Sequence, residues 1–202
     1  MAITIDTGHS ALLVMDFVND VVHPDGAFKD SGFAQMVGQN DVFGKTSRLL
    51  DAARRADMKV IYVAVKFRPG YPELNRSAGL NQEIIDLKSL VEGTWGATIH
   101  EAVAPQERDL VITKRGVSAF AGSDLANLLS ASGITTLLLS GVSTNFVVEG
   151  TARDAVDRGY NVVVVGDCCA AVSQEAHDAA LKTALPALAT ITTSEEAMAA
   201  LG

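Results

Sequence analysis

Five short apolar runs punctuate the chain: ALLVM (11–15), KVIYVAV (59–65), DLVIT (109–113), TTLLLS (135–140) and NVVVVG (161–166). They are rich in Val, Ile and Leu and do not alternate apolar with polar residues. A strand buried on both faces reads this way, so the runs predict a parallel sheet. A sixth, weaker run is LATITT (188–193). Helical spacing fills the gaps. Residues 41–57 place Val42, Leu49, Leu50 and Ala53 on one stripe. The segment 123–132 opens on Ser123 as an N-cap and stops before Gly133; 151–158 stops before Gly159. The segment 173–185 opens on Ser173 with Pro186 just past its end, and 194–201 closes the chain. Strand and helix alternate, and right-handed crossovers then give an α/β fold. The expected form is a three-layer α/β/α sandwich with a mostly parallel, about six-stranded sheet. No linker, repeat or low-complexity segment interrupts it, so 1–202 is expected to be one domain.

Composition narrows the class. The chain has 202 residues, 48% hydrophobic, 20% charged, with a formal net charge of −8. That apolar content suits a sizeable core and excludes a disordered chain. No Lys/Arg-rich run is present, so nucleic acid is not an expected partner. No stretch approaches the roughly 18 uninterrupted apolar residues of a membrane span. The N-terminus, MAITIDTGHSALLVMDF, lacks the basic and long apolar regions of a signal peptide. The two cysteines, Cys168 and Cys169, are adjacent in VVVVGDCCAA and cannot make a disulfide framework. They are expected in the turn after the fifth strand, as small buried thiols. A cytoplasmic setting fits these features.

The two longest irregular stretches, 17–40 and 66–83, both follow strand ends. Ligands of open α/β sheets bind outside the carboxyl ends of strands. Candidate chemistry therefore lies at Asp16, at Lys66 to Tyr71, at Lys114 and at Ser143 to Val147. Asp16 follows ALLVM directly. Desolvation there raises a carboxyl pKa and suits a general acid or base; the competing role is a loop cap. Lys114 ends DLVIT. It either snorkels at an edge or pairs with Asp16 across the top of the sheet. FRPGYPELN (67–75) is a loop that binds a carboxylate through Arg68, with Tyr71 beside it, or simply turns. Trp95, between Gly93 and Gly96, either walls a pocket or packs. His9, His23, His100 and His177 show no metal-ligand spacing, and no nucleotide or nucleophile-elbow motif occurs. No metal or cofactor is expected.

Three blocks resemble the isochorismatase-like hydrolases: LLVMDFVND around Asp16, VITKRGVSAF around Lys114, and GVSTNFVVEGTARDAVDRGYNVVVVGDCCAA. They occur in the family's order and cover nearly the whole chain. Most members resembling this pattern are amidases or ureidases with an Asp–Lys–Cys triad. Asp16 and Lys114 match its first two members. The position of the cysteine is Val147, which cannot form an acyl-enzyme. The resemblance also implies a cis peptide at Val142–Ser143, with N–H groups near Phe146 and Val147 aimed into the pocket. A branch of the family, the true isochorismatases, likewise lacks the cysteine; there the aspartate protonates a vinyl ether before water adds. The resemblance thus favours a hydrolase acting without covalent catalysis on a small, anionic metabolite, with Asp16 as acid or base and Lys114 as its partner. Arg68 and Arg115 are the expected anion-binding cations, and Tyr71, Trp95, Val142, Ser143, Phe146 and Val147 complete the expected binding set. The alternatives are a catalytically inactive binding or structural relative, and an amide hydrolase in which Asp16 activates water. The family also implies a homodimer or homotetramer, with 144–156 as a candidate interface helix.

Overall fold

A computed structural model describes residues 4–201. Each apolar run becomes a strand: β1 (Ser10–Met15), β2 (Lys59–Val65), β3 (Leu110–Lys114), β4 (Thr136–Val142), β5 (Asn161–Ala170) and β6 (Thr190–Thr192). They form one sheet in the order β3-β2-β1-β4-β5-β6. Every pairing is parallel, so the sheet is wholly rather than mostly parallel.

Burial explains why the runs do not alternate. All six residues of β1 are buried. Leu12 and Val14 face one core with Leu49, Leu50 and Ala53; Ala11, Leu13 and Met15 face the other with Leu125, Leu129, Ala152 and Ala155. Both sides of the pleat are therefore covered by helices, and both demand apolar residues. Leu12 and Leu13 are fully buried, each worth about 1.5–3 kcal/mol of transfer free energy.

The covering helices are α1 (Asn19–Val22), α2 (Phe33–Gln39), α3 (Val42–Arg55), α4 (Gly79–Asp86), α5 (Leu125–Ala131), α6 (Glu149–Asp157), α7 (Gln174–Ala179) and α8 (Ser194–Ala200). The α3 stripe faces the sheet as its spacing predicts. Ser173 caps α7 by accepting from the Ala176 N–H, and α8 carries a full capping box between Thr193 and Glu196.

Several expectations need correction. The stretches 17–40 and 66–83 are not irregular throughout, since α1, α2 and much of α4 lie in them. The helix expected at 151–158 begins at Glu149, behind a π-helical turn at Thr144–Val148. The segment 173–185 is no single helix: α7 passes into a π-helical turn at Ala180–Ala184 and a 3-10 turn containing Pro186. Cys168 and Cys169 lie inside β5, which runs past the expected end. Gly166 and Asp167 look like a turn in sequence, yet β5 continues past them, with an irregularity that shifts its register against β4 between Leu139 and Gly141.

Candidate active site

Strand order reverses between β1 and β4, and the carboxyl edge there is a switch point where α/β folds bind ligands. Asp16 stands one residue past β1 with φ at 56°, a left-handed conformation that Asp tolerates better than most residues. Its N–H donates to the Val63 carbonyl at 3.0 Å, which turns the side chain over the end of β2. There Oδ1 accepts from the Val65 N–H at 2.8 Å. Oδ2 lies 2.8 Å from Lys114 Nζ. Lys114 is two strands away, in register with Val65 of β2, and its long stem spans the gap. Its ammonium also donates to the Val117 carbonyl at 2.5 Å. Lys114 is fully buried and Asp16 only 4% exposed. Burial pushes the Asp16 carboxyl above its ordinary range, against the opposing pull of the Lys114 charge and hydrogen bonds from Lys114 and Val65.

The β4–α6 junction closes the other side. Gly141, with φ at 151°, is the residue that lets β4 approach β1 here: an added Cβ would sit 2.5 Å from the Met15 carbonyl oxygen. The Val142–Ser143 peptide is cis. The next turn is π-helical, with the Val148 N–H donating to the Ser143 carbonyl at 3.1 Å. Thr144 Oγ1 pairs with His177 Nδ1 at 2.8 Å and ties this turn to α7. The Ala119 N–H donates to Thr151 Oγ1 at 2.9 Å, which fixes the loop after Lys114 against α6.

Above the Asp16–Lys114 pair is a cavity of about 340 Å³. Val142, Ser143, Phe146 and Val147 all line it. Sequence reasoning missed the opposite walls. Phe28, Phe33 and Phe67 contribute rings, and Leu74, Ile84 and Leu90 contribute aliphatic surface. Leu80, Val117 and Val172 complete an apolar rim with the half-exposed Phe146. The walls come from separate segments, α2, α4 and the loops beside them, and Asp20 ties two of those loops together. Its carboxylate accepts from the Leu90 N–H at 2.6 Å and the Ala27 N–H at 3.3 Å. Asp20, three residues past Phe17, was a legible hint; the distant wall positions had no local signal.

Three expected binding residues lie elsewhere. Arg68 points away from the cavity and pairs with Glu73 at 2.5 Å. Tyr71 is buried, and its hydroxyl donates to the Ser89 carbonyl at 2.9 Å, so it braces the loop instead of contacting the cavity. Trp95 is 52% exposed and packs edge-on against His23. Arg115 is engaged by Glu92 at 2.7 Å and the Lys66 carbonyl at 2.6 Å, also outside the cavity. Among the described residues no group of three or more metal-ligating side chains is assembled.

The sequence matches the isochorismatase domain model over residues 10–196. The chain belongs to the isochorismatase family. Within this family it is 31% identical over 193 residues to the ureidoacrylate amidohydrolase RutB of Methylobacterium radiotolerans, covering 89% of this chain and 74% of that protein. It is 31% identical over 171 residues to the maleamate amidohydrolase of Pseudomonas putida, covering 85% and 76%. A cysteine hydrolase structure from Pseudomonas syringae pv. phaseolicola superimposes with a TM-score of 0.87 at 27% identity, over 98% of this chain and 95% of that one. Like these amidohydrolase relatives, the chain is a hydrolase of the isochorismatase family. No helix among the described residues is long and apolar enough to cross a membrane.

Proposed function

We propose that this chain is a single-domain hydrolase that works by non-covalent acid–base catalysis, with Asp16 as the proton-transfer group and Lys114 as its electrostatic partner. The observation that carries the reading is the 2.8 Å Asp16–Lys114 pair at the floor of a cavity whose facing residue is Val147. Valine offers no nucleophile, and Cys168 and Cys169 are buried in β5 with thiols pushed up in pKa by desolvation, Cys168 to about 12.

Burial raises the Asp16 carboxyl above its ordinary range, the direction that favours a general acid. In the favoured form of the reaction the substrate is a vinyl ether. Asp16 gives its proton to the alkene carbon, leaving an oxocarbenium ion beside the carboxylate. Water adds to that ion and returns one proton to Asp16. The hemiketal then collapses to a carbonyl compound and an alcohol, so one water is consumed and the enzyme is restored. Lys114 stabilises Asp16 as carboxylate in the middle of the cycle.

A second reading, an amide hydrolase in which Asp16 deprotonates water, is favoured by the names of the amidohydrolase relatives. Hydrolysis in D₂O separates the two. Carbon protonation places one deuterium on the product carbon next to the carbonyl, whereas amide hydrolysis leaves the carbon skeleton unlabelled. A panel of enol ethers, ureido acids, maleamate and nicotinamide supplies the substrates. Absence of turnover throughout would move the chain to a non-catalytic binding role. The proposal extends to a homodimer or homotetramer, supported by the exposed apolar side chains of Phe146 and Val156 on the 144–156 segment. Among the described residues that line the cavity, Lys114 is the one cation and is paired with Asp16, so none is free for the anionic substrate expected from Arg68 and Arg115.

A further inference from the structure

The charge pattern of the cavity is more informative than its shape. Its lining includes one cation, Lys114, and two carboxylates, Asp16 and Glu83. The Lys114 ammonium is already shared between Asp16 and the Val117 carbonyl. Both arginines near this edge are held outside by Glu73, Glu92 and the Lys66 carbonyl. Glu83 sits exposed at the rim, so an approaching anion meets a carboxylate. Above the floor the walls are mostly phenyl rings and aliphatic groups, with Ser31, Asn81 and Ser143 as uncharged polar residues among them. Leu80, Val117, Phe146 and Val172 continue that apolar surface outward as exposed side chains around the mouth.

We infer that the site takes an uncharged molecule with an apolar, flat or branched body and a single polar group that lies against Asp16 and Lys114. The inference rests on the reading of this cavity as the reaction site. A carboxylate buried here would lose its hydration with no cation to replace it. A free ammonium would shed its hydration too, since Asp16 is already neutralised by Lys114. An uncharged body gains from every wall, and its hydroxyl, ether or amide has one acceptor and one donor waiting at the floor.

Three probes share one skeleton and differ in charge: cinnamyl alcohol, cinnamate and cinnamylammonium. Calorimetric titration of the wild-type protein should show the alcohol binding at least about tenfold more tightly than either ion, because only the ions pay uncompensated desolvation. In methyl-labelled protein the alcohol should shift the Ile84 and Leu90 resonances, which marks the cavity. Equal or tighter binding of cinnamate or of cinnamylammonium overturns the inference, as does an alcohol that fails to saturate or that shifts methyl groups only elsewhere. Binding is read without turnover. Alcohol bound in the cavity with no hydrolysis of any panel member removes the hydrolase reading and leaves this one standing. Hydrolysis of a carboxylate-bearing substrate, with cinnamate the tightest probe, does the reverse.

Discussion

Two buried ion pairs lie at opposite edges of the sheet. At the amino edge, Arg54 from the end of α3 meets Asp109, just before β3, at 2.6 Å. At the carboxyl edge, Lys114 meets Asp16 at 2.8 Å. The first pair is saturated. Arg54 donates to both Asp109 oxygens and to the Tyr62 hydroxyl, and Asp109 also accepts from the Gln106 N–H. A planar guanidinium and a carboxylate fit each other bidentately. The second pair uses a point charge, leaves lone pairs on the carboxylate, and has about 340 Å³ of space above it. Burial of an ion pair is therefore common to a clamp and to a reaction site. Incomplete satisfaction facing a cavity is what separates them.

The comparison breaks most readily at Asp16. Asp16→Asn removes proton transfer, and turnover should fall about 10²–10⁴-fold with Kd for an uncharged probe changed far less. Rates within a factor of about two of wild type would make the two pairs alike. The clamp should respond the other way. Asp109→Ala leaves the buried guanidinium with only the half-exposed Asp51 at 3.6 Å and should cost up to about 3–5 kcal/mol of folding stability in urea titration. Its turnover per folded molecule should be unchanged, and a large kinetic loss would give the clamp a functional role.

A smaller effect concerns pH. The folded Asp16 carboxyl is raised above its ordinary 3.8. In the interval between those two values the folded state binds the extra proton, so stability falls as pH rises through it. The contribution is full below the unfolded value and lost above the folded one. Replacing both members, Asp16→Leu with Lys114→Met, should abolish this slope and leave stability equal or up to about 4 kcal/mol higher. A slope that survives belongs to other groups. Smallest of all is the effect of thiol alkylation: iodoacetamide should leave activity intact, because Cys168 is fully buried with its thiol pushed up to about 12. Activity lost in step with modification of Cys168 or Cys169 would reveal a functional thiol.

Local pattern carried the sheet and the floor of the site. The doubly buried strands had to be continuous apolar runs, and Asp16 and Lys114 are conspicuous because charge follows such runs directly. The walls were not legible. Phe28, Phe33, Ile84 and Leu90 become neighbours only through loop geometry set by Asp20 and its bonds to Leu90 and Ala27. Arg68 and Trp95 misled for the same reason: Pro- and Gly-punctuated loops advertise function without fixing where a side chain points. Cys168 and Cys169 misled in the opposite sense, since Gly166 and Asp167 imitate a turn inside a continuous strand.

The central claim is that Asp16 can hold a proton to deliver. Carbon-13 NMR of labelled aspartate carboxyls measures this directly, with the Asp16 signal identified by its loss in Asp16→Asn. The account predicts that this signal titrates with a midpoint above the ordinary value of about 3.9. A midpoint at or below that value would leave Asp16 ionised throughout the working range, and would contradict its role as the acid.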